Sequence, residues 1–312
     1  MKKKLILLLT VTILLVLTLL LWNINPDILL YSLKKRSIKI IGILITGSAL
    51  GISTLLFQTI SGNRILSPSI LGLDNLYVLI NVLIAFTLGT VSILFNNVYI
   101  NFFLTTITMT LLSTTIYIKI FSKGRSLHIV ILVGVILGTL FTSIIGMIQT
   151  LMNPDSYNVI LDKLFASYNN INSDLLLITT VILILCFIVV IYNHRLLDVI
   201  SLGKEKAITL GIDYDKELKK ILTLIFIMVS LSTSLVGPVT FLGFFAANIT
   251  KNLFKTYKHM FLIPGVILSG VSTLVIGQFL VEHLFSFSLP IGVLISLCGG
   301  IYFIYLLIKE SF

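Results

Sequence analysis

Arg36-Ser37-Ile38-Lys39 leads into an apolar run over residues 40–60, which ends in Asn63-Arg64-Ile65-Leu66-Ser67-Pro68-Ser69-Ile70-Leu71-Gly72. Only small residues, threonines and Gln58 dilute that run. About 20 such residues, wound as a helix, cross the ~30 Å hydrocarbon layer of a bilayer. The stretch is therefore read as a membrane span. Pro68 has no backbone N–H and biases the residue before it away from the helical region, so the chain has to break there before it continues.

Further apolar runs lie on either side of this one, near residues 5–22, 70–91, 98–118, 127–150, 174–192, 221–236, 239–250, 261–283 and 290–308. With 38–60 they give about ten spans. The run at 239–250 is too short to cross alone and reads as a half-helix buried in protein. Composition agrees: of 312 residues 57% are hydrophobic and 11% charged, with a mean hydropathy of +1.11. Soluble domains carry about 25% charged residues, so a water-coated globule is excluded. The longest polar interruption, residues 194–220, is well under the ~50 residues of a small soluble domain. The chain reads as one all-α polytopic membrane domain over 1–312, placed in the cell membrane.

Charge orients the spans. Lys2, Lys3 and Lys4 precede the first run, which is long and lacks a small-x-small cleavage signal, so it reads as an uncleaved span starting inside. Trp22 then falls at the outer interface, where indole rings prefer to lie. Alternating from there, the outer side receives only Lys34, Lys35, Arg36, Lys39 and Lys163 of the 22 Lys and Arg. The others, Lys123 and Arg125 among them, fall inside. That bias follows the positive-inside rule and places both termini in the cytoplasm. It also accounts for the net charge of +10 without nucleic acid as a partner. The outer cluster around Arg36 and Lys39 is the exception. It fits a solvated loop overruled by Lys2–Lys4, and equally a docking patch for acidic residues of an outer partner.

Inside the spans, Gly47 and Gly51, Gly134 and Gly138, and Gly265, Ser269 and Gly270 let helix backbones approach closely. Gln58, Asn81, Gln149 and Gln278 must face protein or water, because an unpaired amide in lipid is costly. Cys186 and Cys298 have no ligand spacing and read as small core residues. The loop of about residues 193–220 is the one substantial inner segment. In it, Lys204 to Leu210 can form a short helix between Gly203 and Gly211, with Leu202, Ala207 and Leu210 apolar among charges. Glycine-bounded and partly apolar, it reads as a docking element for a cytoplasmic partner.

Chemistry of its own is missing. There is no G-x-x-x-x-G-K-[ST] loop to cradle phosphates, no zinc spacing among His128, His194, His259 and His283, and no carboxylate pair within a span. The chain is read as a non-enzyme that binds no cofactor directly. Energy for any work must come from another chain or an ion gradient.

Four blocks resemble a known family: Arg36-x-x-Lys39 followed by Gly47 and Gln58; Asn63, Pro68, Leu71 and Gly72; Leu202-Gly203…Ala207…Leu210-Gly211; and Gly237-Pro238-Val239-Thr240-Phe241-Leu242-Gly243, with an echo at residues 289–293. In this order they are similar to the permease subunits of type II ABC importers for iron–siderophore complexes, haem and cobalamin. The overall wording is nearest to Gram-positive siderophore permeases of catecholate type. The resemblance departs at Arg64, which stands for a proline. It departs also at Ala247, Asn248, Ile249 and Lys251, where P-H-I-x-R is usual, and at Gln278 and Glu282, where Asp and Arg are usual.

The resemblance implies a ten-helix permease fold and a second permease subunit, a heterodimer being favoured by the divergent blocks. It implies two cytosolic ATPases, which consume the ATP and grip Leu202, Gly203, Ala207, Leu210 and Gly211. An extracytoplasmic binding lipoprotein would deliver the ferric siderophore and dock on Arg36 and Lys39. Gly47, Gln58, Asn63, Pro68, Gly72, Gly237, Pro238 and Gly243 would build helix packing and the pathway. The competing reading is a secondary carrier of a small organic solute. Such a carrier needs intramembrane ionisable groups or broken helices in two repeats.

Overall fold

The computed structural model describes residues 1–23, 27, 29–122 and 127–310; Lys123 and Arg125, used above to orient the chain, lie outside them. Fourteen α-helices form in the described residues. They are α1 (Lys2–Leu21), α2 (Leu29–Ser61), α3 (Leu73–Leu88), α4 (Ile93–Asn96), α5 (Val98–Ser122), α6 (Leu127–Leu151) and α7 (Pro154–Leu164). After these come α8 (Ser173–Tyr192), α9 (His194–Ile200), α10 (Lys204–Thr209), α11 (Tyr214–Val236), α12 (Leu242–Phe254), α13 (His259–His283) and α14 (Ile291–Glu310). Eight of them (α1, α2, α5, α6, α8, α11, α13 and α14) are long and apolar enough to cross a membrane.

Two of the ten expected spans are shorter. The half-helix at 239–250 is α12, of 13 residues. The run at 70–91 is α3, of 16 residues and about 24 Å at 1.5 Å per residue, trimmed at its start by the 3-10 turn Pro68–Leu71 and at its end by Gly89 with φ +83°. Gly72 sets the start of α3. Its φ of +76° stops the turn, and a side chain there would come within 2.8 Å of the Gly138 Cα, so only glycine lets the chain pass α6 so closely.

Helix α2 is the axis of the bundle. It is buried along nearly its whole apolar length and packs on α13, α12 and α11. The small residues make this possible. A Cβ at Gly270 would lie 2.5 Å from the Gly47 carbonyl oxygen, one at Gly51 3.0 Å from the Val266 carbonyl, and one at Gly243 2.4 Å from the Leu50 carbonyl. Without a hydrophobic drive between helices in lipid, such backbone approach is what holds them together. Cys186 is buried as expected, whereas Cys298 is exposed. It shares with Leu297 and Ile301 the face of α14 turned away from the bundle, so it is not a core residue.

Polar contacts sort into two ends. At one, Lys4 donates to the Leu253 carbonyl at 2.7 Å and Asp198 on α9 meets His259 of α13. At the other, Arg36 donates to the Leu20 and Trp22 carbonyls at 2.9 and 2.7 Å, and Tyr99 donates to Asp174 at 2.7 Å. The first is called the α10 end and the second the α7 end.

Candidate functional site

Helix α10 stands clear of the bundle. Gly203, with φ +98°, precedes it and Gly211, with φ +84°, follows. Gly211 donates its N–H to Ile208 and Ile212 donates to Ala207, the two bonds of a Schellman stop. Lys204 pairs with Asp215 at 3.0 Å and lies over the Tyr214 ring, so the start of α10 is held to the start of α11. Ala207 is 0% exposed, while Leu202, Ile208 and Leu210 are 49–61% exposed. The small residue seats the helix and the large apolar ones face outward.

Behind α10 the bundle is locked by side chains the sequence reading had not joined. Asp198 Oδ1 accepts the backbone N–H of His259 and lies 2.7 Å from its ring Nδ1, and the other ring nitrogen sits 2.8 Å from Thr59 Oγ1. Thus α9, which carries α10, is tied to both α13 and α2. Beside this knot, Gln58 donates to the Arg64 carbonyl at 2.6 Å and accepts from Lys251 Nζ at 2.7 Å. Asn248 donates to the same carbonyl at 3.2 Å, and Asn63 Oδ1 accepts the Ile65 N–H at 2.9 Å. Of the positions where the chain departs from the pattern it resembles, 64 and 251 are joined through Gln58, and 248 meets 64 at the same carbonyl.

Two broken helices start next to each other within the bundle. Phe241 takes φ +65° at the start of α12, and Thr240 donates to Asp74 Oδ2 at 2.9 Å in the first turn of α3. Gly237 has φ +92°, and a Cβ there would lie 2.9 Å from the Ala166 Cα. The Pro238 carbonyl lies 3.0 Å from where a Cβ on Gly292 would stand. Residues 165–169 after α7 thus close against the α11–α12 and α13–α14 links. Helix α7 itself, capped by the Asn153 side chain and Pro154, went unread because its 11 residues are polar on one side.

At the α7 end neither expected docking cation is free. Lys39 is buried and paired with Glu282, each side chain 9% exposed. Gln278 donates to the same Glu282 oxygen at 2.7 Å and reaches Asn169 at 3.4 Å. Arg36 is spent on the carbonyls that end α1. Among the described residues, the exposed cations of this end are Lys34, Lys35 and Lys163, the last donating to the Phe95 carbonyl. The displaced acid at 282 was visible in the sequence, but its partner on α2 was not, because 243 residues separate them.

Comparison with known proteins places this architecture. The chain is 46% identical over 282 residues to the petrobactin import system permease protein YclO of Bacillus subtilis, covering 90% of each. It is 30% identical over 278 residues to the corresponding permease FatC of Bacillus anthracis, covering 89% of this chain and 78% of that one. Its fold matches a solved metal-chelate type ABC transporter with a TM-score of 0.83 at 22% identity, over 99% of this chain and 100% of the other. The FecCD transport family profile matches residues 5–309. A multi-pass chain with the fold of an ABC permease, matched to that family nearly end to end, belongs to the FecCD transport family.

Proposed function

We propose that the chain is one permease subunit of an ATP-driven importer of a ferric siderophore of catecholate type. The observation that carries the reading is the identity of 46% over nine-tenths of a petrobactin permease, together with a glycine-bounded α10 that turns Leu202, Ile208 and Leu210 outward. In this reading the α10 end is cytoplasmic, and two separate ATPases hold α10 through those three side chains. Ala207, Gly203 and Gly211 give it a fixed seat. ATP binding then moves α10, and the Asp198–His259–Thr59 link passes that motion to α13 and α2 as a rigid-body shift of packed helices. Gly47, Gly243 and their neighbours keep those helices in one block, and the breaks at Pro68–Gly72 and Gly237–Pro238 border the pathway.

A binding lipoprotein docks at the α7 end. Lys34 and Lys35 offer the charge that acidic side chains meet there. Arg36 and Lys39 serve docking by holding the rim: Arg36 ends α1, and Lys39 fixes the end of α13 through Glu282. The mate is a second permease, a heterodimer being favoured, seated along the outward face of α14 that carries Leu297, Cys298 and Ile301. A secondary carrier has one observation in its favour, the two broken helices that meet at Asp74 and Thr240.

Photo-crosslinking separates these readings. A photoreactive amino acid at Leu210, used in whole cells carrying the complete transport system, is expected to capture a P-loop ATPase. Labelling of residue 210 from outside by a membrane-impermeant reagent, or a crosslink to no ATPase, would overturn the assignment of α10.

A further inference from the structure

At the α10 end a cavity of about 570 Å³ opens between α2, α12 and the start of α13, lined by Gln58, Arg64, Ser201, Lys251, Lys255 and Thr256 among others. Three of these side chains are cations, and the lining contains no carboxylate. Asp198, nearby on α9, is occupied by His259. Lys251 is anchored by Gln58, and the charge acting on it from within the cavity is the like charge of Arg64. Lys255 ends α12 with φ +44° and donates its N–H to the Lys251 carbonyl at 2.9 Å, a turn that keeps the two lysines on the same cavity.

The ordinary explanation is that Lys251 and Lys255 complement the C-terminal dipole of α12. That dipole is worth about half a negative charge, against three unit positive charges converging here. Lys255 and Arg64 are exposed, so water screens them, but a cavity lined by one sign of charge still attracts an anion. A guanidinium fork, two ammonium groups and the Thr256 hydroxyl suit a tetrahedral, multiply charged oxyanion better than a single carboxylate. The volume leaves room for one ester substituent.

We propose that this cavity binds a phosphate group, either free in solution as inorganic phosphate or a small phosphate ester, or as the headgroup of an anionic phospholipid. Bound there, the group bridges Arg64 to Lys251 and Lys255. It thereby joins the loop that leads to the Pro68 break to the end of α12, one wall away from Ser201 at the root of α10.

The full-length chain in nanodiscs tests this by hydrogen exchange over residues 62–67 and 251–258. In phosphatidylcholine discs, inorganic phosphate is expected to protect both segments beyond potassium chloride of equal ionic strength. Lys255→Gln and Arg64→Gln, both at exposed side chains that the fold does not need, are each expected to weaken the phosphate response about tenfold, the loss of one charge-assisted hydrogen bond. Protection in phosphatidylglycerol discs without added phosphate, lost in the same variants, identifies the headgroup as the source. Protection equal in chloride, or variants that respond like the wild type in both kinds of disc, would overturn the site.

Discussion

Ala207→Asp is expected to reduce ATP-driven uptake to background while the chain still inserts and its bundle still melts as the wild type does. Ala207 is fully buried under α10, and its carbonyl accepts the Ile212 N–H that closes the helix. A carboxylate forced into that seat loses its hydration. Burying an unpaired charge costs several kcal/mol, far more than six residues of α10 can supply, so α10 lifts away. The bundle does not depend on α10: its core is α2 with α11, α12 and α13. Loss of uptake together with retained folding is therefore the expected signature, with Glu205→Gln, on the exposed side of the same helix, as the tolerated control. Ala207→Asp with normal uptake would show that the seat of α10 does not matter to coupling.

Glu282→Gln is expected to be the most destabilising single change at the α7 end, by about 3–5 kcal/mol, because it leaves Lys39 buried and unpaired. The pair is closed off on both sides, and Gln278 already uses its amide on the same oxygen. The reversed pair, Lys39→Glu with Glu282→Lys, restores opposite charges at the same separation and is expected to recover a large part of that loss in a detergent melting series. If the reversed pair melts no higher than Glu282→Gln alone, the charges are not each other's partners. Binding-protein affinity gives a second reading: Lys34→Glu with Lys35→Glu is the exposed counterpart, acting on docking without touching the pair.

What could be read from the sequence follows from which forces are local. Membrane spans are set by runs of apolar residues, and the eight long helices stand where those runs stand. Helix α10 was legible because Gly203 and Gly211 are local stop signals. The role of Gly47 and Gly270 was half legible: each was marked as a packing residue, but only the fold brings one against the other. Helix α7 was not legible. A short polar half-helix has no apolar run to announce it. Residues 70–91 have such a run and α3 stands within it, but the close pass of Gly72 over Gly138 that sets its start is visible only in the fold. The contacts that define the two ends, Lys39 with Glu282 and Asp198 with His259, join residues far apart in the chain and leave no spacing to find. Lys39 was accordingly expected to be free, whereas burial and Glu282 hold it.

The most direct measurement is uptake into proteoliposomes containing this chain, its mate permease and the ATPases, with the binding protein outside and nucleotide inside. Ferric petrobactin is the first cargo to try, since both Bacillus relatives are named for its import. The expected result is iron accumulation that requires ATP and the loaded binding protein together. Accumulation by this chain alone, driven by a proton gradient and indifferent to ATP, would contradict the account.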